Sequence, residues 1–250
     1  MNTIEKKELA ARLCAAWERL DAVAAASEAV AWAVGTYGKR AALSSSLSYE
    51  DQVITDLMVR CGNRDAVRIF TLDTGRMFQQ TYELIDRTEM NYGIRLEVFF
   101  PDYVKVQEMV FKHGVNLFLD SVELRHLCCH IRKIEPLKRA LHGTEVWITG
   151  VRRQQSVTRT GMSVVEYDED DDVIKLNPLV GWTQEQVLAY VREHGVPYNK
   201  LHDEGYPSIG CRPCTRAVLP GEDVRAGRWW WEDPSSRECG LHRRTSPKDL

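Results

Sequence analysis

Between Arg40 and Gly150 the hydrophobic residues change period repeatedly, from the two-residue beat of a strand to the three-and-four spacing of a helix and back. "RAALSSSL" is a short β-rich run that passes into a polar loop, and "YEDQVITDLMVRCG" is an amphipathic helix closed by Gly62. "AVRIFTLDTG" is a second strand ending in a turn, followed by the helix "RMFQQTYELIDRTEMNYG". "IRLEVFF" is a third strand, stopped by Pro101, and Asp102 is placed to cap the helix "DYVKVQEMVFKHG". "SVELRHLCCHIRKIEPLKRAL" reads as helical with a kink or break at Pro136, and "TEVWITG" as another strand. Strands alternating with helices of this length predict an α/β fold with a mainly parallel twisted sheet flanked by helices. Such sheets take ligands beyond the carboxyl ends of their strands, which selects three loops: "SSSLSYED", "LDTG" and "TGVRRQQSVTRTG".

Outside that core the pattern is simpler. Residues 1–35 read as helices, and residues 36–195 hold the alternating core. Within the core, the acidic run Asp168 to Asp172 is expected as a solvated hairpin turn between two short strands, and Thr183 as the cap of the helix "TQEQVLAYVREHG". Over 196–250 Pro and Gly become frequent and periodicity fades. A tail that long without periodicity is functional or disordered, and this one holds three cysteines and "RWWWED", which favours function. There is no internal repeat or low-complexity linker, so 1–250 is expected as one domain with a functional C-terminal tail.

A net charge of −3 argues against a wholesale polyanion-binding surface and hence against nucleic acid as a partner. The N-terminus has no apolar signal region, and no run suits a membrane span, so the expected location is cytoplasmic. In a reducing compartment seven cysteines do not suggest a disulfide framework; those that cluster point to metal binding or catalysis.

Two pairs do cluster. Cys128 and Cys129 are adjacent within a predicted helix, where neighbouring side chains diverge by about 100°. A relaxed disulfide between them is excluded, because their Cα atoms are only about 3.8 Å apart. Cys211 and Cys214 stand in "GCRPC", a Cys-x-x-Cys loop whose thiolates can converge on one centre. Four thiolates satisfy either a zinc ion or a 4Fe–4S cluster. The adjacent pair favours the cluster, since each thiolate can take its own iron corner; zinc stays open. Cys14 and Cys61 read as small buried hydrophobes. Cys239, in "SRECGLHRR", has cationic neighbours that favour its reactive thiolate form. Arg152, Arg153 and Arg159 follow a strand and offer guanidinium forks to a phosphate-like group. The three consecutive tryptophans of "RWWWED" read as an anchor of the tail before a stacking platform.

The order Cys-Cys, Cys-x-x-Cys and terminal "ECGLH" resembles the assimilatory adenylyl-sulfate (APS) reductases, the iron–sulfur branch of the phosphoadenylyl-sulfate (PAPS) reductase family. The resemblance runs from "RAALSSSL" to "ECGLH" and includes "SSSLSYEDQV", "FTLDTGRMFQQTY", "GVRRQQSVTR" and "GCRPCTRAVLPGEDVRAGRWWWED". One departure stands in the first loop, where Leu47, Ser48 and Tyr49 replace the family's usual Gly or Ala.

The resemblance implies an adenine nucleotide α-hydrolase-like (pyrophosphatase-loop) fold with a nucleotide-binding core, and one 4Fe–4S cluster per chain on Cys128, Cys129, Cys211 and Cys214. It implies adenosine 5′-phosphosulfate as substrate. Ser44, Ser45 and Ser46, with Leu72, Asp73, Thr74 and Gly75, would hold the adenylyl part; Arg152, Arg153, Arg225 and Arg228 would surround the phosphosulfate. Cys239 would attack sulfur, His242 would orient or deprotonate it, and Lys133 would couple its charge to the bound sulfate. Thioredoxin or glutaredoxin would then release sulfite, within sulfate assimilation and cysteine biosynthesis. A homo-oligomer is compatible with the sequence. Three rivals remain at this point: a PAPS or dual-specificity reductase, an ATP-using RNA-thiolating enzyme of the pyrophosphatase-loop type, and a zinc-stapled nucleic-acid-binding module.

Overall fold

A computed structural model describes residues 1–155 and 159–233 of the chain. Six strands form one sheet: β1 (Ala41–Ser45), β2 (Arg68–Leu72), β3 (Glu97–Phe99), β4 (Val146–Ile148), β5 (Val165–Asp168) and β6 (Val173–Leu176). Their order is β3-β2-β1-β4-β6-β5. β1 pairs in parallel with β2 and β4, and β4 in parallel with β6. The β5–β6 hairpin is antiparallel and turns at the acidic run as expected. β4 and β6 are buried along their whole length, the burial expected of strands covered on both faces.

The eight α-helices of the described residues are α1 (Thr3–Trp17), α2 (Ala22–Tyr37), α3 (Tyr49–Arg60), α4 (Gln79–Tyr92), α5 (Tyr103–His113), α6 (Val122–Cys129), α7 (Glu135–Leu141) and α8 (Gln184–His194). Several begin where a side chain satisfies the open N–H groups of the first turn. Asp102 accepts from Val104 and Lys105, Ser48 from Asp51, and Thr183 forms a capping box with Gln186. Among the described residues, no helix is long and apolar enough to cross a membrane.

The chain divides into two compact units. The first comprises Met1–Thr71, Gln80–Glu97 and Leu141–Asn199; the second comprises Leu72–Gln79, Val98–Ala140 and the chain from Lys200 on. In the first unit, β1 is the strand at which the order reverses, with β2 on one side and β4 on the other. The loops after β1 and β4 therefore flank a topological switch point. The N-terminal helix α1 joins this unit through Lys6, whose Nζ lies 2.9 Å from Asp172 in the hairpin turn.

The second unit is built around α6. Its helical path does not simply kink at Pro136: a π-turn over His130–Ile134 links α6 to α7, and Glu135 N–H bonds to the His130 carbonyl. Pro136 has no N–H to give to the carbonyl four residues back, that of Arg132, and its ring crowds that carbonyl. The wider π-turn just upstream accommodates the break. Its apolar core gathers Met109, Leu117, Phe118, Ile131 and Trp229 with Cys128 and Cys214.

Candidate functional site

Each unit carries candidate residues, and the thiol-bearing set lies in the second. One cavity there is lined by Cys128, Cys129, Cys211 and Cys214, with Arg76, Arg125, Arg132 and Lys133 among its other walls. Residues 125, 128, 129, 132 and 133 recur at three- and four-residue spacing, so α6 and the π-turn present both thiols and three cations to the same space. The opposite wall is a 3₁₀ turn over Arg212–Cys214, closed by a bond from Cys214 N–H to the Cys211 carbonyl at 2.9 Å. Arg212 N–H also bonds to the Arg76 carbonyl at 2.8 Å, tying the cysteine loop to the segment after "LDTG". Among the described residues, no group of three or more His, Cys, Asp or Glu side chains converges closely enough to hold a metal ion. All four cysteines nonetheless line the one cavity.

The charges around these thiols separate them. Burial pushes the Cys128 thiol up. Burial and the neighbouring Cys211 push Cys214 up to about 12. Burial opposes ionisation at Cys211 as well, but Lys133, the Thr74 hydroxyl, Arg228 and Arg132 outweigh it and hold that thiol below its ordinary range. The Thr74 Oγ1 lies 3.2 Å from Cys211 Sγ. Arg132 Nη1 donates to the Thr74 carbonyl at 2.6 Å, and Gly75 N–H donates to Asp73 Oδ1 at 2.7 Å. The "LDTG" loop is thus fastened to the cysteine-bearing elements by Thr74. Gly75 turns it with φ +71°, a left-handed conformation in which a side chain would be strained.

Arg228 stands at the same centre, 7% exposed. Its guanidinium carbon lies 4.6 Å from the Trp229 ring, and the Arg125 guanidinium carbon lies 4.6 Å from the same ring. The indole is flanked by two cations, a favourable arrangement because the ring face is electron-rich. Arg125 is fully buried and forms a two-pronged ion pair with Glu232, at 2.7 and 2.8 Å. A Cβ on Gly210 would lie 2.3 Å from Arg228 Nη2, so the residue before Cys211 is glycine because the guanidinium crosses its backbone. Trp229 anchors the tail as expected, Trp231 packs on Phe118, and Trp230 is the exposed member of the three.

In the first unit the loops at the switch point are ordered by two consecutive acids. Arg152 is 4% exposed; its Nε donates to Glu50 at 2.7 Å, and its Nη2 bonds to Gln184. Arg153 Nε donates to the Met162 carbonyl at 2.7 Å. Arg159 is buried beside Gln155. Ser44 accepts from the Trp147 indole at 2.7 Å, and Ser45 Oγ accepts from Leu47 N–H at 3.1 Å. Ser46 donates to Asp51. Leu72 ends β2, Asp73 and Thr74 are buried beyond it, and Arg225 is half-buried in the tail. Cys239 and His242 lie outside the described residues.

Sequence reasoning singled out Lys133 but not Arg76, Arg125, Arg132 or Glu232. The two arginines of α6 and the π-turn were detectable, since they repeat at helical spacing around the cysteine pair. Glu232 carried no such signal, because its partner is 107 positions away.

A mainly parallel sheet of this order, with a serine loop at its switch point, defines an α/β protein of the adenine nucleotide α-hydrolase-like class. Within that class the chain belongs to the phosphoadenosine phosphosulfate reductase domain family, whose family model matches residues 40–217. It is similar to the adenosine 5′-phosphosulfate reductase of Allochromatium vinosum, at 52% identity over 201 residues, 80% of this chain and 78% of that protein. The enzyme of the same name from Burkholderia cepacia is 47% identical over 242 residues, 97% of this chain and 93% of that one. Among solved structures, the PAPS reductase of Candida auris in a phosphate complex matches with a TM-score of 0.69 and 30% identity, covering 85% of this chain and 97% of that one. The FMN adenylyltransferase of Candida glabrata, with a TM-score of 0.52 and 14% identity over 90% of this chain and 82% of that one, shares the fold alone.

Proposed function

We propose that this chain reduces adenosine 5′-phosphosulfate to sulfite and AMP in sulfate assimilation, with a dithiol protein such as thioredoxin or glutaredoxin as the reductant. The observation that carries the reading is the cavity where four thiols and four cations meet, in a chain whose relatives are named for that reaction. Cys239 is the proposed nucleophile. Its thiolate attacks the sulfur of the substrate, the S–O bond to phosphate breaks, and AMP leaves with the bonding electrons. The enzyme then carries an S-sulfocysteine. A thiolate of the reductant attacks the Cys239 sulfur and expels sulfite; its second thiol resolves the mixed disulfide. Sulfur gains two electrons and the dithiol loses them.

A thiolate approaching an anionic group meets repulsion, which fixed cations offset without reorganising during the reaction. Lys133 and Arg228, with Arg225, are proposed for that work on the phosphosulfate. Arg152 and Arg153 carry the same family role, Arg152 while paired to Glu50. The loop serines and "LDTG" are proposed for the adenylyl part, and His242 for orienting or deprotonating Cys239.

The residues also fit a 4Fe–4S cluster. All four candidate ligands are sulfur and all four residues line one cavity, a donor set that suits such a cluster. The Nε of Arg132, a residue that lines this cavity, is buried without a hydrogen-bond partner, as a donor beside an anionic sulfur-rich group would be. Cys128, Cys129, Cys211 and Cys214 would hold the cluster, which when bound would link α6 to the cysteine loop and place a charged group beside the cations. The electrons come from the thiols, so the reaction requires no change in its oxidation state.

Label transfer tests the reading. Anaerobic protein given sulfur-labelled APS without reductant should carry label on Cys239, none in Cys239→Ser, and little when PAPS replaces APS. Equal labelling from both donors would establish dual specificity; no label from either would sink the mechanism. A second expectation concerns Gly210→Ala. Its new methyl group would displace Arg228, so sulfite release should fall about tenfold or more, while the melting temperature stays within a few degrees. Unchanged turnover would remove Arg228 from the mechanism.

A further inference from the structure

Arg153 is tethered twice, and both tethers lead to Asn177. Its Nε donates to the Met162 carbonyl at 2.7 Å, and its N–H to the Val180 carbonyl at 3.0 Å. Val180 ends a turn that starts at Asn177: the Asn177 carbonyl accepts from Val180 N–H at 3.1 Å, and Pro178 stands where proline presets such a turn. The other tether runs through the chain itself. Met162 precedes Ser163, whose carbonyl accepts from the Asn177 side-chain Nδ2 at 3.0 Å. Ser163 N–H donates to Glu166 at 2.8 Å, and Asn177 N–H donates to the Val164 carbonyl at 2.8 Å, so the returning arm of the arginine loop is fastened over successive residues.

The Asn177 amide takes its orientation from the sheet. Asn177 and Thr149 directly follow β6 and β4 and are 0% and 2% exposed. Thr149 Oγ1 donates to Asn177 Oδ1 at 2.6 Å, which leaves the Nδ2 end for Ser163. Thr149 N–H also donates to the Leu176 carbonyl at 2.9 Å. An apolar pair of similar volume would continue the apolar character of both strands and bring no polar atom to satisfy. A buried hydroxyl and amide cost free energy unless bonded, and when bonded they specify one geometry. The geometry specified here is the exit of the loop that carries Arg153.

We propose that Asn177 is a positioning residue for Arg153: its amide, set by Thr149, holds the returning arm of the arginine loop and thereby fixes where the Arg153 guanidinium meets the anionic end of the substrate. Arg152 has no need of it, because Glu50 and Gln184 hold that guanidinium directly. Asn177 acts through the Ser163 and Met162 carbonyls and touches no substrate. The inference rests on the phosphosulfate role proposed for Arg153.

Equilibrium binding of APS to the full chain tests it, with Cys239→Ser as the parent so that no sulfur is transferred. Asn177→Ala should weaken binding about tenfold, since a small misplacement of a charged group is costly. In an Arg153→Lys background the bond to the Met162 carbonyl is already cut, so the same Asn177→Ala change should cost less than about twofold. A residue that only held the fold together would cost the same in both backgrounds, and equal losses overturn the inference. Thr149 supplies an arm that does not depend on how Asn177→Ala folds. Thr149→Val removes the hydroxyl that sets the amide and should weaken binding about threefold or more, while Thr149→Ser keeps it and should stay within about twofold of the parent. Equal affinities for these two variants also overturn the inference. A parent that binds no APS would bring down the reductase reading and this inference with it; a parent that binds APS and shows equal losses brings down the inference alone.

Discussion

Cys211→Ser should purify with little iron and release sulfite at least a hundredfold more slowly than wild type. The Cys211 thiol is held below its ordinary range, whereas burial pushes those of Cys128 and Cys214 up. Lys133, Thr74, Arg228 and Arg132 all act on Cys211 against the cost of burial. A metal-bound cysteine is a thiolate, so that environment suits ligation. Serine offers a harder oxygen that stays protonated, and a cluster short of one thiolate is labile. Iron and acid-labile sulfide analysis, run beside the sulfite assay, checks the result. Cys14→Ser and Cys61→Ser are the controls, because both cysteines lie in the first unit and should leave iron content unchanged. Full iron and turnover in Cys211→Ser would remove the cluster from this cavity.

Glu232→Ala should destabilise the second unit by about 3–5 kcal/mol, the usual cost of removing one partner from a buried ion pair. Arg125 is fully buried and Glu232 nearly so, so water cannot replace the carboxylate without opening the core. The loss should extend to chemistry. Arg125 lies one helical turn before Cys128 and stacks on Trp229, whose other cation is Arg228. A shifted Arg125 therefore disturbs both the cysteine helix and the arginine proposed for the substrate. Denaturant titration should give a lower midpoint, and Glu232→Gln, which preserves shape and part of the hydrogen bonding, should fall between Ala and wild type. A midpoint for Glu232→Ala within about 1 kcal/mol of wild type would show that the pair contributes little.

The parts of the fold that were legible beforehand are those governed by near neighbours. Asp102 and Thr183 were readable as caps because a cap needs only its own side chain and N–H groups two or three residues on. The β5–β6 hairpin was readable because apolar strands flank a run of acids that must face water. Pro136 signalled a break, and a break is present, but the π-turn absorbing it begins at His130, upstream of the signal. The two cysteine pairs were legible from spacing. Of the arginines around them, Arg125 and Arg132 repeat at helical spacing, whereas Arg76 comes from a distant segment with no such signal.

The serine loop marks the limit of such reading. Its hydroxyls suggest an anion site, and two of its serines, Ser46 and Ser48, fold as donors to the chain's own Asp51. Arg152 gives the same lesson. In "GVRRQQS" it is a fork open to a phosphate; in the fold it is held by Glu50, 102 positions earlier. The amino-acid sequence by itself determined the alternation of elements, their caps, the parallel sheet and the identity of four thiols that could act together, because periodicity, sterics and short-range hydrogen bonds operate within a few residues. Only the tertiary structure decided which charges those thiols face, which arginine pairs with which acid, and which donors remain for a ligand. Those choices depend on burial, where desolvation makes each charge require a partner and the nearest one comes from a distant part of the chain.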